Sequence, residues 1–314
     1  MRDPSPSSSS QASQPSGTKM VHFRNLDWGM PSLRRILVIL DFILEPEGEV
    51  VASSITYAGF WGVLTGVRRD LSLSLNFRAV HDGSGSWMAD LRYYGHLLLV
   101  LLGWRRSISS IFRGYLLPQN MSACRGGTNM TLPSYADIVE NFSCRDGPFL
   151  STACYLCFSS GRETKIIEKD LVTARQMSSS KFIVVTNADV DDNAEKKTIT
   201  NPSGKSLKTT KKAPSPSATA LEELLQDANE RRMCAEKNYR SLLRRQAKAL
   251  RDSGGSGLEA SVDSSALLPT VDDIVELVRK YPTTNECTHF AAVLDALEGT
   301  IAWCKYWEEP IDGL

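Results

Sequence analysis

Three patterns in this chain of 314 residues predict an α+β fold. Leu71, Leu73, Leu75 and Phe77 alternate with Ser72, Ser74, Asn76 and Arg78, the period of two that marks a half-buried strand. The apolar stretches 36–44 and 51–57 flank Glu45-Pro46-Glu47-Gly48-Glu49 and predict a hairpin closed by that turn. From Ala218 to Asp252, Leu221, Leu224, Leu225, Ala228, Leu242, Leu243, Ala247 and Leu250 recur on one side of a long helix.

The elements follow in order. Residues 1–19 hold seven Ser and three Pro and read as a disordered leader without an apolar signal core. Ile36, Val38, Leu40, Phe42 and Leu44 share one face of the first hairpin strand, and Val51, Ser53, Ile55 and Tyr57 lie on its partner. Residues 87–115 read as helical, and Ser134 is placed to cap a short helix over Tyr135–Asn141. Further strands are expected at 151–158, 164–168 and 181–187. Residues 193–217 carry six lysines and almost nothing large and apolar; a solvated insertion loop is the simpler reading, contact with anionic lipid the other. A Gly/Ser-rich linker spans 253–265. Thr270 and Asp273 resemble a capping box that starts a helix running to Lys280, and Pro282 stops it. Residues 287–304 are expected to return to the sheet. The resulting division is 1–19, 20–192, 193–217 and 218–314.

Composition excludes several classes. Thirty-six Lys and Arg balance 36 Asp and Glu, which argues against a nucleic-acid binder held by bulk charge. Apolar residues make up 42%, enough to exclude global disorder. The apolar run Leu97–Leu102 falls far short of the roughly 20 residues that span a membrane. Seven cysteines (124, 144, 154, 157, 234, 287 and 304) are too sparse for a disulfide scaffold. Three sequons, at Asn120, Asn129 and Asn141, fall in a segment of loop character and suggest a secreted or lysosomal protein. The missing signal argues instead for the cytoplasm, so either the sequons are accidental or the N-terminus is incomplete.

Familiar catalytic signatures are absent: no Gly-x-Ser-x-Gly, no P-loop, no His-Glu-x-x-His. Four scattered histidines (22, 81, 96 and 289) make no obvious metal site, and Cys154-x-x-Cys157 lacks a second pair, so both thiols read as strand packing. Neither a cofactor nor a metal is expected. The dense polar block is His22-Phe23-Arg24-Asn25-Leu26-Asp27-Trp28-Gly29. Arg24 and Asp27 carry opposite charge three residues apart. They are candidates to pair and position a nucleophile or substrate carbonyl, or to form a structural salt bridge. Asn187 ends the apolar run 182–185; its amide is either an oxyanion donor or the start of a turn.

The 22–29 block, then Ser54-Ile-Thr-Tyr-Ala-Gly-Phe-Trp-Gly-Val-Leu-Thr-Gly-Val67, then Ser74-Leu-Asn-Phe-Arg78, resembles the acid ceramidase family, with a fungal flavour. These are N-terminal-nucleophile amidohydrolases related to N-acylethanolamine acid amidase. Val184–Asp189, Glu230–Ala235 and Thr288-His-Phe-Ala through Trp303-Cys304 extend the likeness over 18–192 and 218–306. The resemblance implies an αββα sandwich and a cysteine nucleophile, freed by self-cleavage, that attacks the amide of an N-acyl sphingoid base. It places Arg24 and Asp27 on the pair that holds nucleophile and substrate. Asn187 falls on the oxyanion donor and Arg231 on a further site arginine, with Arg232 competing for that place.

The departures are specific. The nucleophile should stand where Ser7 to Ser10 are, yet no cysteine precedes Cys124. The family's Asn-Glu-Arg reads Asn76-Phe77-Arg78, so an acid is lost. Its N-terminal subunit and secretory signal are missing too, and an N-terminally incomplete sequence accounts for all of these. The expected partner is ceramide or a related N-acyl lipid, with no nucleic acid, no spanning helix and a missing N-terminal subunit. Three readings remain open: a ceramidase-like amidase, an inactive lipid-binding relative whose groove draws on Tyr57, Phe60, Leu73 or Leu75 (core packing being the simpler role for most of them), and an N-acylethanolamine amidase. The family's location is lysosomal, vacuolar or secreted.

Overall fold

The structure is a computed structural model that describes residues 19–79, 81, 86–120, 130–143, 149–171, 173–189, 216–253 and 269–311. Its strands begin with β1 (His22–Asp27), β2 (Leu37–Ile43), β3 (Val50–Tyr57), β4 (Thr65–Arg68) and β5 (Leu71–Phe77). Helices α1 (Trp87–Leu101) and α2 (Ile108–Leu116), the two-residue strands β6 (Gln119–Asn120) and β7 (Met130–Thr131), and α3 (Tyr135–Ser143) follow. Next come β8 (Ser151–Ser159), β9 (Thr164–Leu171) and β10 (Thr173–Ser179), then the long α4 (Pro216–Ser253) and α5 (Val271–Val278). The chain closes with β11 (Thr288–Asp295) and β12 (Thr300–Tyr306).

Two antiparallel sheets carry the fold. The larger runs β10-β9-β8-β5-β4-β3-β2 and the smaller β1-β11-β12. Between them, Leu26, Phe290, Ala292 and Leu294 of the small sheet meet Ile55, Tyr57 and Val67 of the large one. Burying each of the Leu, Ile, Val and Phe side chains contributes about 1.5–3 kcal/mol before chain entropy is subtracted. On the outer face of the large sheet, Ile111, Phe112 and Leu116 of α2 and Ile138 and Phe142 of α3 pack on Leu73, Leu156 and Phe158. On the outer face of the small sheet, Ile274 and Val278 of α5 cover Ala291 and Val293, and α4 lies against α5. This is an αββα sandwich, and β11 is buried along its whole length because it is covered on both sides.

Most predicted elements are present. The hairpin pairs Leu37 with Tyr57 through Phe42 with Ala52. Ser134 and Asp137 cap α3 reciprocally, and Thr270 with Asp273 forms the capping box of α5, which ends at Val278 rather than Lys280. The helical stretch expected over 87–115 is made of two helices, separated where Gly103 takes a φ of +75°. Residues 181–187 form no strand: Phe182 stacks on Tyr239 of α4, Thr186 bonds the Ala228 carbonyl, and the backbone joins no ladder. The return at 287–304 is made, but to the separate small sheet. β1, β4 and β10 escaped the hydrophobic pattern because buried His22 and Arg24, the brevity of β4, and a polar β10 obscure it. The apolar β2 is an edge strand with Ile39, Leu40 and Ile43 exposed, not a buried one.

Several sequence features lie outside the described residues: residues 1–18 with Ser7 to Ser10, the lysine-rich stretch up to 215, the linker from 254, Cys124, Cys144 and Asn129. Asn141 does not have the expected loop character, since it lies in α3 with its amide 3.4 Å from the Tyr115 hydroxyl. Among the described residues no helix is long and apolar enough to cross a membrane.

Gly299, in the turn joining β11 to β12, has a φ of +75°, and a Cβ there would stand 2.5 Å from the Arg69 backbone nitrogen. Gly299→Ala is therefore expected to destabilise the protein by about 2 kcal/mol through strain and overlap together. A lowered urea midpoint with an unchanged slope is the expected reading.

Candidate active site

β1 is the free edge of the small sheet, and a cavity of about 1210 Å³ wraps around it. The cavity wall combines β1 with the ends of β5 and β8, the extended segment 180–187, α4 and the turn 281–287. The alternation of β1 turns His22, Arg24 and Leu26 inward. His22 is clamped across the sandwich by Ser72 Oγ (3.1 Å) and Ser74 Oγ (3.0 Å) on β5. Burial, together with the Arg24 cation, lowers its pKa to about 3, so the ring is neutral.

Arg24 is 6% exposed and donates Nη2 to the Leu75 carbonyl at 2.9 Å, while its Nε meets no acceptor. Burial lowers its pKa to about 10, against the pull of Asp27, Cys157 and Tyr57, so it remains a cation at neutral pH. A bulge after Leu26 redirects Asp27. Its carboxylate accepts from Thr288 Oγ1 at 2.7 Å and forms a short ion pair with Arg231 of α4. Arg231 also pairs with Asp227 at 2.9 Å, so it bridges two carboxylates. Burial raises the Asp27 pKa, opposed by Arg231, Thr288 and Arg24.

The expected Arg24–Asp27 pair is thus not formed. Three residues apart on a strand, the two side chains diverge, and Asp27 takes an arginine from a helix 204 positions later instead. Of the two competing arginines, Arg231 lines the cavity, whereas Arg232 is buried against the Asp189 carbonyl (3.3 Å) and Asn229 (3.0 Å).

Asn187 also lines the cavity and donates Nδ2 to the Phe77 carbonyl at 2.8 Å. Its segment is anchored at both sides. Thr186 Oγ1 donates to the Ala228 carbonyl at 2.8 Å, and Asp189 receives Arg78 Nε (2.8 Å), Arg78 Nη2 (2.6 Å) and the Tyr155 hydroxyl (2.7 Å). Burial alone would raise the Asp189 pKa, but the bonds from Arg78 and Tyr155 outweigh it and the net shift is downward. Farther along, the Phe182 ring stacks on Tyr239 at 4.0 Å and faces Phe23 at 6.4 Å, and Ile183, Leu243 and Ile274 complete an apolar lobe.

Three thiols line the cavity. Cys154 and Cys157 are pushed up to about 12 by burial, which leaves them protonated and unreactive. Cys287, at the exposed rim, is also shifted up, by partial burial and by Glu286 and Asp27. Among the described residues no group of three His, Cys, Asp or Glu is arranged to hold a metal. Of the four groove candidates, Leu75 lines the cavity, Leu73 and Tyr57 are core, the simpler of their two readings, and Phe60 is partly exposed outside the cavity. Phe77, where the family resemblance expects an acid, stands at the cavity wall.

Sequence reasoning missed the support behind Asp27. Thr288 holds the carboxylate directly. Next to it, buried His289 donates Nε2 to the Trp28 carbonyl at 3.0 Å and so accepts the Tyr57 hydroxyl on Nδ1 at 2.8 Å. The run Thr288-His289 within the last matching block was the available signal.

No family sequence model matches the chain, and no curated protein matches it in sequence. Among solved structures it is similar to the Caenorhabditis elegans N-acylethanolamine-hydrolyzing acid amidase (NAAA) ortholog, with a TM-score of 0.55 and 19% identity. The match covers 92% of this chain and 95% of that one. A likeness at that identity establishes the shared fold.

Proposed function

We propose that this chain is the scaffold of an amide hydrolase for N-acyl lipids, with ceramide the substrate favoured by the sequence blocks at 22–29, 54–67 and 74–78. One observation carries the reading: Arg24, Asp27, Asn187 and Arg231, drawn from three distant stretches, line a single cavity whose far lobe is apolar. A lipid amide would lay its acyl chain along Phe182 and Tyr239. Its carbonyl oxygen would lie toward the Arg24 guanidinium and the Asn187 amide, both of which line the cavity and can stabilise charge developing on that oxygen. The Asp27–Arg231 pair would orient the amide nitrogen side and the attacking group.

Cleavage requires that attacking group. A thiol or hydroxyl adds to the carbonyl carbon, the C–N bond breaks as the amine takes a proton, and water releases the fatty acid from the acyl-enzyme. The position that the resemblance assigns to it falls at Ser7 to Ser10, and the first cysteine is Cys124. Phe77, which stands at the cavity wall where the resemblance expects an acid, favours a second reading, a binder of N-acyl lipids without turnover. The name of the fold relative favours a third, an N-acylethanolamine amidase. The compartment that accompanies the catalytic reading is lysosomal, vacuolar or secreted.

The test is a fluorescent N-acyl lipid offered as ceramide and as N-acylethanolamide to the purified 314-residue chain. Saturable binding with little fatty-acid release is expected. Arg24→Gln should weaken binding about 10-fold or more, since a hydrogen bond to a charged group contributes about 1.5–3 kcal/mol. Absence of binding to either lipid would remove the proposal. Rapid release would instead overturn the expectation of low activity and direct attention to Ser7 to Ser10.

A further inference from the structure

The large sheet ends in two unlike edges, β10 and β2. β10 is polar, with Thr173, Arg175, Gln176 and Ser178 along it, and polar edges resist pairing with other chains. β2 is the reverse. Its seven residues include no Lys, Arg, Pro or Gly, and Ile39, Leu40, Ile43 and the following Leu44 are 37–50% exposed. Its one polar side chain, Asp41, accepts from Ser53 Oγ of β3 at 2.5 Å. The Ala58 N–H bonds the Ile36 carbonyl at 2.7 Å, so the alternation of the ladder turns the N–H and C=O groups of Leu37, Ile39 and Asp41 away from β3. Among the described residues no strand pairs with that edge. An apolar strand with a free row of main-chain groups is a template for another strand.

The two ends of β2 carry opposite charge. Arg35, in the turn Pro31–Ile36 that enters the strand, is exposed, as are Glu45, Glu47 and Glu49 in the turn that leaves it. Arg34 beside it is buried and donates to the Thr288 carbonyl at 2.7 Å, which fixes the entering turn and leaves Arg35 at the surface. Arg35 meets Glu309 at 2.7 Å, but these side chains are 72% and 70% exposed, so that pair holds it weakly.

We infer that β2 is a homodimer interface, in which two copies join their large sheets by antiparallel β2–β2 pairing. A two-fold axis at Leu40 pairs Leu37 with Ile43 and Ile39 with Asp41 of the second copy, and sets Leu40 against its own copy. The same register brings Arg35 of each copy to the acidic turn of the other. The strand is thus complementary to itself in charge as well as in apolar surface, which selects a second copy over a foreign strand. The pairing is isologous and closes at two, whereas β2 against β10 would be head-to-tail and open-ended. No residue of β2 lines the cavity, so the interface stands independently of the lipid-amide reading.

Sedimentation velocity of the full chain across the micromolar range tests it, and a reversible monomer–dimer equilibrium is expected. Leu40→Lys places two like charges directly opposite each other and should raise the dissociation constant at least about tenfold. Arg35→Glu and Glu45→Arg should each weaken the dimer about fivefold, since every substitution acts twice in a symmetric interface. Combined in one chain, the two should restore it. Both side chains are exposed, so the swap tests register without disturbing the core. Gln176→Lys on β10 and Leu98→Ser on α1 should leave the equilibrium unchanged. A monomer at every concentration would overturn the inference, as would oligomers that keep growing with concentration. So would a dimer that Leu98→Ser dissolves and Leu40→Lys does not, because α1 would then be the interface.

Discussion

Acidification below pH 6.5 is expected to destabilise this fold through one histidine. His22 has a folded pKa of about 3 against 6.5 when unfolded. Between those values the unfolded chain binds a proton that the native state refuses. Stability from the neutral ring is therefore fully present above pH 6.5 and is lost as the pH falls, at about 1.4 kcal/mol per pH unit. By pH 4.5 the loss approaches about 3 kcal/mol. His96 and His289 are shifted in the same direction by burial, while the raised Asp27 works the other way. A comparison isolates His22: His22→Gln should be less stable at pH 7, having lost one of two serine bonds, and flatter between pH 6.5 and 4.5. Parallel pH profiles of urea midpoints for the two proteins would refute the assignment. If the protein works in an acidic compartment, this ring is a cost that the rest of the fold must offset.

Asp27→Ala carries the second large effect. It removes the acceptor of Thr288 and one of the two carboxylates that Arg231 bridges. Breaking a fully buried pair costs about 3–5 kcal/mol. The side chains here are 17% and 14% exposed, and Asp227 continues to hold Arg231, so about 2–3 kcal/mol is expected. Arg231→Met should cost a comparable amount by leaving the Asp27 carboxylate without its ion-pair partner. The double variant should recover part of the loss, because an apolar pair leaves no uncompensated charge. Strict additivity in the denaturation cycle would show that the two residues do not act as a pair. Lipid capture should fall in both single variants, and the double variant should recover part of the stability without restoring capture.

Legibility differed by kind of residue. The alternating leucines of β5, the hairpin and the long helix were readable because burial on one face leaves a simple period. β1 was not, because the face it buries carries His22 and Arg24, whose partners come from β5. Residues 182–185 looked like a strand because they are apolar, but Phe182 lies between Tyr239 and Phe23 of β1 and the run enters no ladder. Asn187 could be singled out as a side-chain amide after an apolar run, yet only the fold shows one of its N–H groups committed to the Phe77 carbonyl.

By itself, then, the sequence determined the α+β character and the positions of the long helix and of the capped helices, and it offered Arg24, Asp27, Asn187 and Arg231 as candidates, with Arg232 still competing for the last place. Local period, capping chemistry and ordered motifs are properties of neighbours in the chain, so they survive without coordinates. Tertiary structure decided which charges meet. Arg24 and Asp27 are three residues apart yet unpaired, whereas Asp27 and Arg231 are joined, because strand pleat separates near neighbours and the packing of α4 beside the small sheet brings distant ones together. It likewise decided that Leu91, Leu98 and Leu101 of α1 face water, since a helical stripe has a period but no direction until the rest of the fold supplies its inside.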